Sequence, residues 1–123
     1  MSFDWSEYLN LAQELAGQTV SPAGQEARLR AAVSRAYYAV FCKSRNYLRD
    51  EGRQVPSRDV HRYVRDEFKR SADRLRKQIG YDLDRLRSDR NKADYNDNVV
   101  NLDKMVSADL ALANKIIHTL AQL

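Results

Sequence analysis

Apolar residues recur along this chain at spacings of three and four. Nowhere do they alternate with polar residues over four or more positions, so the pattern predicts helices and no strands. A first helix is expected from Asp4 to Ala16, with Trp5, Tyr8, Leu11, Ala12 and Leu15 facing inward and Gly17 ending it. Ser21-Pro22 offers a cap and a first-turn proline for a second helix, which reaches about Asp50 and stops before Gly52. One face of this helix is Leu29, Val33, Ala36, Tyr37, Val40, Phe41, Ser44, Tyr47 and Leu48. Its other side carries Ala31, Arg35, Tyr38, Ala39 and Cys42, which predicts a helix contacted all round, by its own bundle or by a second subunit.

Residues 51–57 read as a loop, and Ser57 is expected to cap a third helix facing inward with Val60, Val64 and Phe68. After a break over Ser71 to Asp73, a fourth helix carries Leu75, Ile79, Leu83 and Leu86, with Gly80 weakening its interior. Asn96-Asp97-Asn98 is a turn by composition. The last helix uses Leu102, Met105, Val106, Leu112, Ala113, Ile116, Leu120 and Leu123. Four or five helices with short links predict an all-α fold, an up-and-down antiparallel bundle in which residues 1–123 form a single domain.

Polar residues interrupt two of these stripes. On the fourth helix the stripe runs Ile79, Leu83, Leu86, Arg90, Ala93, so an arginine stands where the core should continue. It needs a partner or an opening onto a groove, because a buried unpaired charge is expensive. On the last helix Asp109 intrudes. It is expected either to pair with a buried arginine, Arg35 or Arg90, or to sit at the stripe's edge and reach water.

The net charge of +4 is unevenly spread: −4 over residues 1–27, +5 over 28–56, +5 over 57–92 and −2 over 93–123. A basic middle suits a polyanion such as nucleic acid and equally suits a set of solvated helix faces. The single Cys42 excludes an internal disulfide and reads as a packing residue. No apolar run approaches a membrane span and MSFDWSEYL is not a signal peptide, so a cytoplasmic protein without membrane association is expected. The two histidines lie far apart in sequence, and no Cys, His or carboxylate cluster has ligand spacing, so neither a metal nor a cofactor is expected. His118 falls on a polar face and is expected to be solvated. His61 is expected to be a surface or partly buried structural residue.

Two segments resemble a known family. RLRAAVSRAYYAVFCKSRNYL (28–48), followed about forty residues later by LRSDRNKADYND (86–97), is similar to the small prokaryotic branch of the HEPN family, the higher eukaryotes and prokaryotes nucleotide-binding domains. The matching elements are Ser34, Arg35, Tyr37, Tyr38 and Ala39, then Arg90, Asn91, Ala93, Asp94 and Tyr95. The resemblance implies a helical bundle, commonly a homodimer. Many such proteins are metal-independent ribonucleases, and many are toxins paired with a nucleotidyltransferase-type antitoxin. Others only bind nucleotides or proteins. Their ribonuclease signature is an arginine, a polar residue and then a histidine four to six positions beyond the arginine. Arg90 and Asn91 match it, but no histidine follows. An aspartate in that region has no proton to give at neutral pH and can pair with an arginine four residues before it.

By this resemblance Arg90, Asn91, Asp94 and Tyr95 are the candidates for chemistry. Arg35, Tyr38, Arg87, Arg90 and Lys92 are the candidates for binding nucleotide or nucleic acid. Three functions compete. The first is a HEPN-type module binding RNA or nucleotide, the toxin-type member of a toxin–antitoxin pair. The second is an active metal-independent ribonuclease with Tyr95 or His61 carrying a proton. The third is a non-catalytic protein-interaction module.

Overall fold

A computed structural model describes residues 3–17 and 24–123. It is all-helical over those residues, with α1 (Ser6–Gly17), α2 (Gln25–Asp50), α3 (Val60–Lys69), α4 (Arg74–Tyr95) and α5 (Leu102–Gln122). The expected start of the second helix at Ser21-Pro22 lies outside the described residues. No described helix is long and apolar enough to cross a membrane.

Helix α2 is the axis of the bundle and touches all four other helices. That accounts for its two-sided pattern: Ala32, Val33, Ala36, Tyr37, Ala39, Val40, Phe41, Cys42 and Leu48 are all buried. The bundle itself supplies these contacts, with no second subunit needed to explain them. Helix α1 enters the core through Leu9 and Ala12, whereas Leu11, expected inside, is exposed. Trp5, Tyr8 and Leu15 pack against the core as expected, and Ala16 joins them.

Ion pairs between helix ends fix the direction of packing. Arg76 at the start of α4 bonds both carboxylate oxygens of Glu51 just past the end of α2, at 3.1 and 2.5 Å. At the opposite end, the Arg30 guanidinium on α2 donates to the carbonyls of Ala93 (2.9 Å), Asn96 (2.6 Å) and Asp97 (3.1 Å), capping the C-terminus of α4. Helices α2 and α4 are therefore antiparallel. So are α1 and α2, where Lys43 pairs with Asp4 at 3.1 Å and Arg35 lies over Tyr8.

Helix α3 departs from simple up-and-down order. Gly52, at φ 86, closes α2 in the left-handed conformation that glycine tolerates, with Arg53 N–H donating back to the Leu48 carbonyl at 3.1 Å. The chain then doubles back, so that His61 at the start of α3 stacks on Phe41 in the middle of α2 and Phe68 near its end lies beside Tyr47. Helix α3 thus runs in the same direction as the second half of α2. Ser57 is not its cap. The residue before α3 is Asp59, in left-handed geometry and with no side-chain capping bond. Helix α4 passes unbroken through Gly80, where α3 crosses closely. A Cβ there would lie 2.7 Å from the Lys69 backbone nitrogen and 3.0 Å from the Arg65 carbonyl. Asp84, bonded by Arg65 at 3.0 Å and Lys69 at 2.6 Å, holds the same two helices together one turn on.

The polar intrusions resolve differently from expectation. Asp109 pairs with neither Arg35 nor Arg90 and does not reach water. It is 1% exposed and faces Asp89 of α4, which is itself buried. Burial first, and then the nearby Asp89 carboxyl, push Asp109 up to about 8. Two bare carboxylates have no donor for each other. With one proton between them they bond, and the charge that must be buried is halved. Of the two neighbours on α4 it is Asp89 that is buried, and Arg90, one residue later, is turned to the edge of the stripe.

Candidate functional site

Tyr38, near the middle of α2, is the point on which the site converges. The Arg35 guanidinium lies over its ring at 5.3 Å and is held from the other side by the Tyr8 ring of α1 at 4.8 Å. Arg90 of α4 lies 5.1 Å from the same Tyr38 ring and 5.5 Å from the ring of Tyr95. Three helices thus place two guanidinium groups and three tyrosines in one patch. Both guanidinium groups lie over aromatic rings; Arg35 makes no ion pair among the described residues, whereas Arg90 is paired with Asp94.

Arg90 sits half inside this patch, its side chain 17% exposed. Its Nε lies 2.8 Å from Asp94 Oδ2, an i,i+4 pair on one helix face, though without the angle of a hydrogen bond. One Nη1–H donates to Asn91 Oδ1 at 3.1 Å, and the Nη2 amino group is left for a further acceptor. Asp94 is steadied from α2 as well, by the Ser34 hydroxyl donating at 3.3 Å. Tyr95, at the last turn of α4, is 72% exposed and presents a bare ring face beside Arg90.

The fold also brings in residues that the sequence pattern did not connect. His61 of α3 lies against the same tyrosines: edge-on to Tyr38 at 6.1 Å between centroids and stacked on Phe41 at 4.0 Å. The Tyr37 hydroxyl and His61 Nδ1 are hydrogen-bonded at 2.5 Å, in a direction set by the imidazole tautomer. Desolvation first, then the positive fields of Arg87 and Arg90, lower the imidazole to about 4, so it is neutral at physiological pH. In the tautomer with Nδ1 accepting from Tyr37, the ring proton is on Nε2, which makes that atom a donor. Burial raises the Tyr37 hydroxyl well above its ordinary value, which keeps its proton in place.

The candidates named from sequence therefore divide. Arg35, Tyr38, Arg90, Asp94 and Tyr95 come together, and Asn91 flanks them. Arg87 faces His61 across a hollow of about 340 Å³ that Asp59, Val60 and Arg62 also line. Lys92 does not join. It is exposed and lines a separate groove with Asn96, Asn98, Val99, Val100 and Met105. Cys42 is buried and His118 is exposed, as expected. In the sequence Tyr8 and Tyr37 are members of apolar stripes, Tyr37 being also one of the elements that carry the resemblance. Their roles depend on which helices pack together, and no local spacing carries that information.

The fold and this patch define a class, a small all-α bundle with an arginine–tyrosine surface cluster built on its central helix. In comparisons with known proteins, the chain matches no family model, no curated protein and no solved structure.

Proposed function

We propose that this protein is a HEPN-type module that binds RNA or a nucleotide through the Arg35–Tyr38–Arg90 cluster. The observation that carries the reading is the convergence of Arg35 and Arg90 on Tyr38, with donors of Arg90 uncommitted beside the exposed ring of Tyr95. Guanidinium edges suit phosphate oxygens, and an exposed tyrosine face suits a nucleobase. The two segments resembling the family are the ones that build the cluster, so the local chemistry and the resemblance point the same way.

Binding fits these groups better than cleavage. Cleavage through attack of a 2′-hydroxyl needs one group to take a proton and another to give one. His61 stands near Tyr38, but its Nδ1 is engaged by Tyr37 and it is held neutral down to about pH 4. It therefore carries no imidazolium proton to give at neutral pH, and a value near 4 makes it a weak base. The homodimer and the nucleotidyltransferase-type partner rest on the resemblance alone.

Filter binding of single-stranded RNA at low and moderate salt tests the proposal. Wild-type protein is expected to retain RNA at low salt and to weaken as salt rises. Arg90→Ala is expected to lose about tenfold in affinity, the worth of a charge-assisted bond to phosphate. Retention unchanged by Arg90→Ala would remove the cluster from the binding surface. RNA incubated with the protein in chelator is expected to stay intact, and Arg90-dependent cleavage would instead establish the ribonuclease reading.

A further inference from the structure

We infer that the hollow between the first turn of α3 and the middle of α4 is a second phosphate subsite, taking a phosphate group of the ligand whose other end lies on the Tyr38 cluster. The inference deepens the proposed function and rests on it for the identity of that ligand. The hollow holds about 340 Å³ and is lined by Asp59, Val60, His61, Arg62 and Arg87.

Three observations carry it. Arg87 is half-buried, yet among the described residues it makes no hydrogen bond and no ion pair. A guanidinium drawn partly out of water without a counter-charge costs free energy that an incoming anion would recover. Arg62 stands on the exposed rim, likewise unpaired among the described residues. The one acid of the rim, Asp59, forms no ion pair with either. The third observation is His61. Its ring is fixed in orientation by the stack on Phe41 and the bond between Nδ1 and Tyr37, so in the tautomer where Tyr37 donates Nε2 is an oriented N–H donor. Two guanidinium groups and a neutral N–H around one hollow suit the oxygens of a phosphate. The lowered titration of His61 agrees: desolvation is its first cause, and the positive fields of Arg87 and Arg90 come next.

His61, which lines the hollow, is in ring contact with Tyr38 at 6.1 Å, and the Arg90 guanidinium lies 5.1 Å from that same ring. A ligand with two phosphates is expected to engage both.

The chain has two histidines, so nuclear magnetic resonance reads His61 directly, with exposed His118 as the internal reference. Inorganic phosphate, added at constant ionic strength against a chloride control, is expected to raise the His61 pKa by about one unit as it offsets the arginine field. Arg87→Gln is expected to abolish that response and Arg62→Gln to weaken it. The second variant, on the exposed rim, decides the matter if the first fails to fold. In parallel, adenosine monophosphate, adenosine diphosphate and a 5′-phosphorylated diadenosine dinucleotide are compared by calorimetry. One of the two-phosphate ligands is expected to bind about tenfold tighter than the monophosphate, and Arg87→Gln to erase that advantage. Which one gains tells a nucleoside diphosphate from an RNA strand. A His61 titration indifferent to phosphate overturns the inference. So does equal affinity for one- and two-phosphate ligands. A His61 response that persists while no nucleotide or RNA binds would remove the proposed function and leave the subsite standing.

Discussion

Gly80→Ala is expected to destabilise the protein by about 1–3 kcal/mol, the range for overfilling a packed contact. The ordinary expectation for this change is the opposite, because alanine in a helix interior is favoured over glycine by about 1 kcal/mol. The contact decides the sign. The new methyl would meet the Lys69 backbone nitrogen at 2.7 Å, and backbone cannot swing aside as a side-chain tip can. Helices α3 and α4 must then separate. At roughly 4–8 °C per kcal/mol for domains near this size, the melting temperature falls measurably. A variant melting at or above wild type would show that α3 is not pressed against α4 here. The same separation would loosen His61 from Arg87, since α3 carries one and α4 the other.

Stability should also fall as pH rises from 6.5 to 8, by about 2 kcal/mol. The sign follows from Asp109. Its folded value, near 8, stands above the ordinary 3.8, so between those limits the folded chain holds a proton that the unfolded chain has released. That stabilisation is complete below about 3.8 and is lost as pH climbs through 8. His61 acts in the other direction. Its folded value near 4 lies below 6.5, so from 4 to 6.5 the unfolded chain binds the extra proton and stability rises with pH. The two slopes oppose each other across that lower window and leave it nearly level. Above 6.5 only the Asp109–Asp89 pair remains. Asp109→Asn keeps the shape and supplies a permanent donor to Asp89. It is expected to remove the decline and leave the variant more stable than wild type at pH 8. Urea unfolding at pH 6.5 and 8 measures both proteins. A wild type whose stability is unchanged across that interval would sink this account, as would a variant that declines in parallel.

The helices were legible because burial imposes a period. The rows Ile79, Leu83, Leu86 and Leu102, Val106, Ala113, Ile116 show in the sequence what the bundle does with them. Boundaries set by backbone bonds were less so. Ser57 and Asp59 are both competent caps on paper, but the left-handed turn at Asp59 settles where α3 begins. On α1 the row stood except at Leu11, because Leu11 and Leu9 are equally apolar and only packing separates them. Most residues of the candidate site were visible, Arg35 and Tyr38 on one helix and Arg90, Asn91, Asp94 and Tyr95 within two turns of another. Their meeting, and the addition of Tyr8, depends on contacts between helices. Period alone places Asp109 inward but cannot say that Asp89, rather than an arginine, waits opposite. Nor can it say that the doubling back after Gly52 returns His61 to Phe41.

The three bonds from Arg30 end on main-chain oxygens of residues 93, 96 and 97. Every amino acid carries that oxygen, so the clasp does not depend on which side chains occupy those positions. The turn after α4 is free to change its sequence while Arg30, one helical turn before Ser34, continues to hold Asp94 and Tyr95 in register with Tyr38. Variation can thus be absorbed at the lip of the patch without altering the spacing inside it.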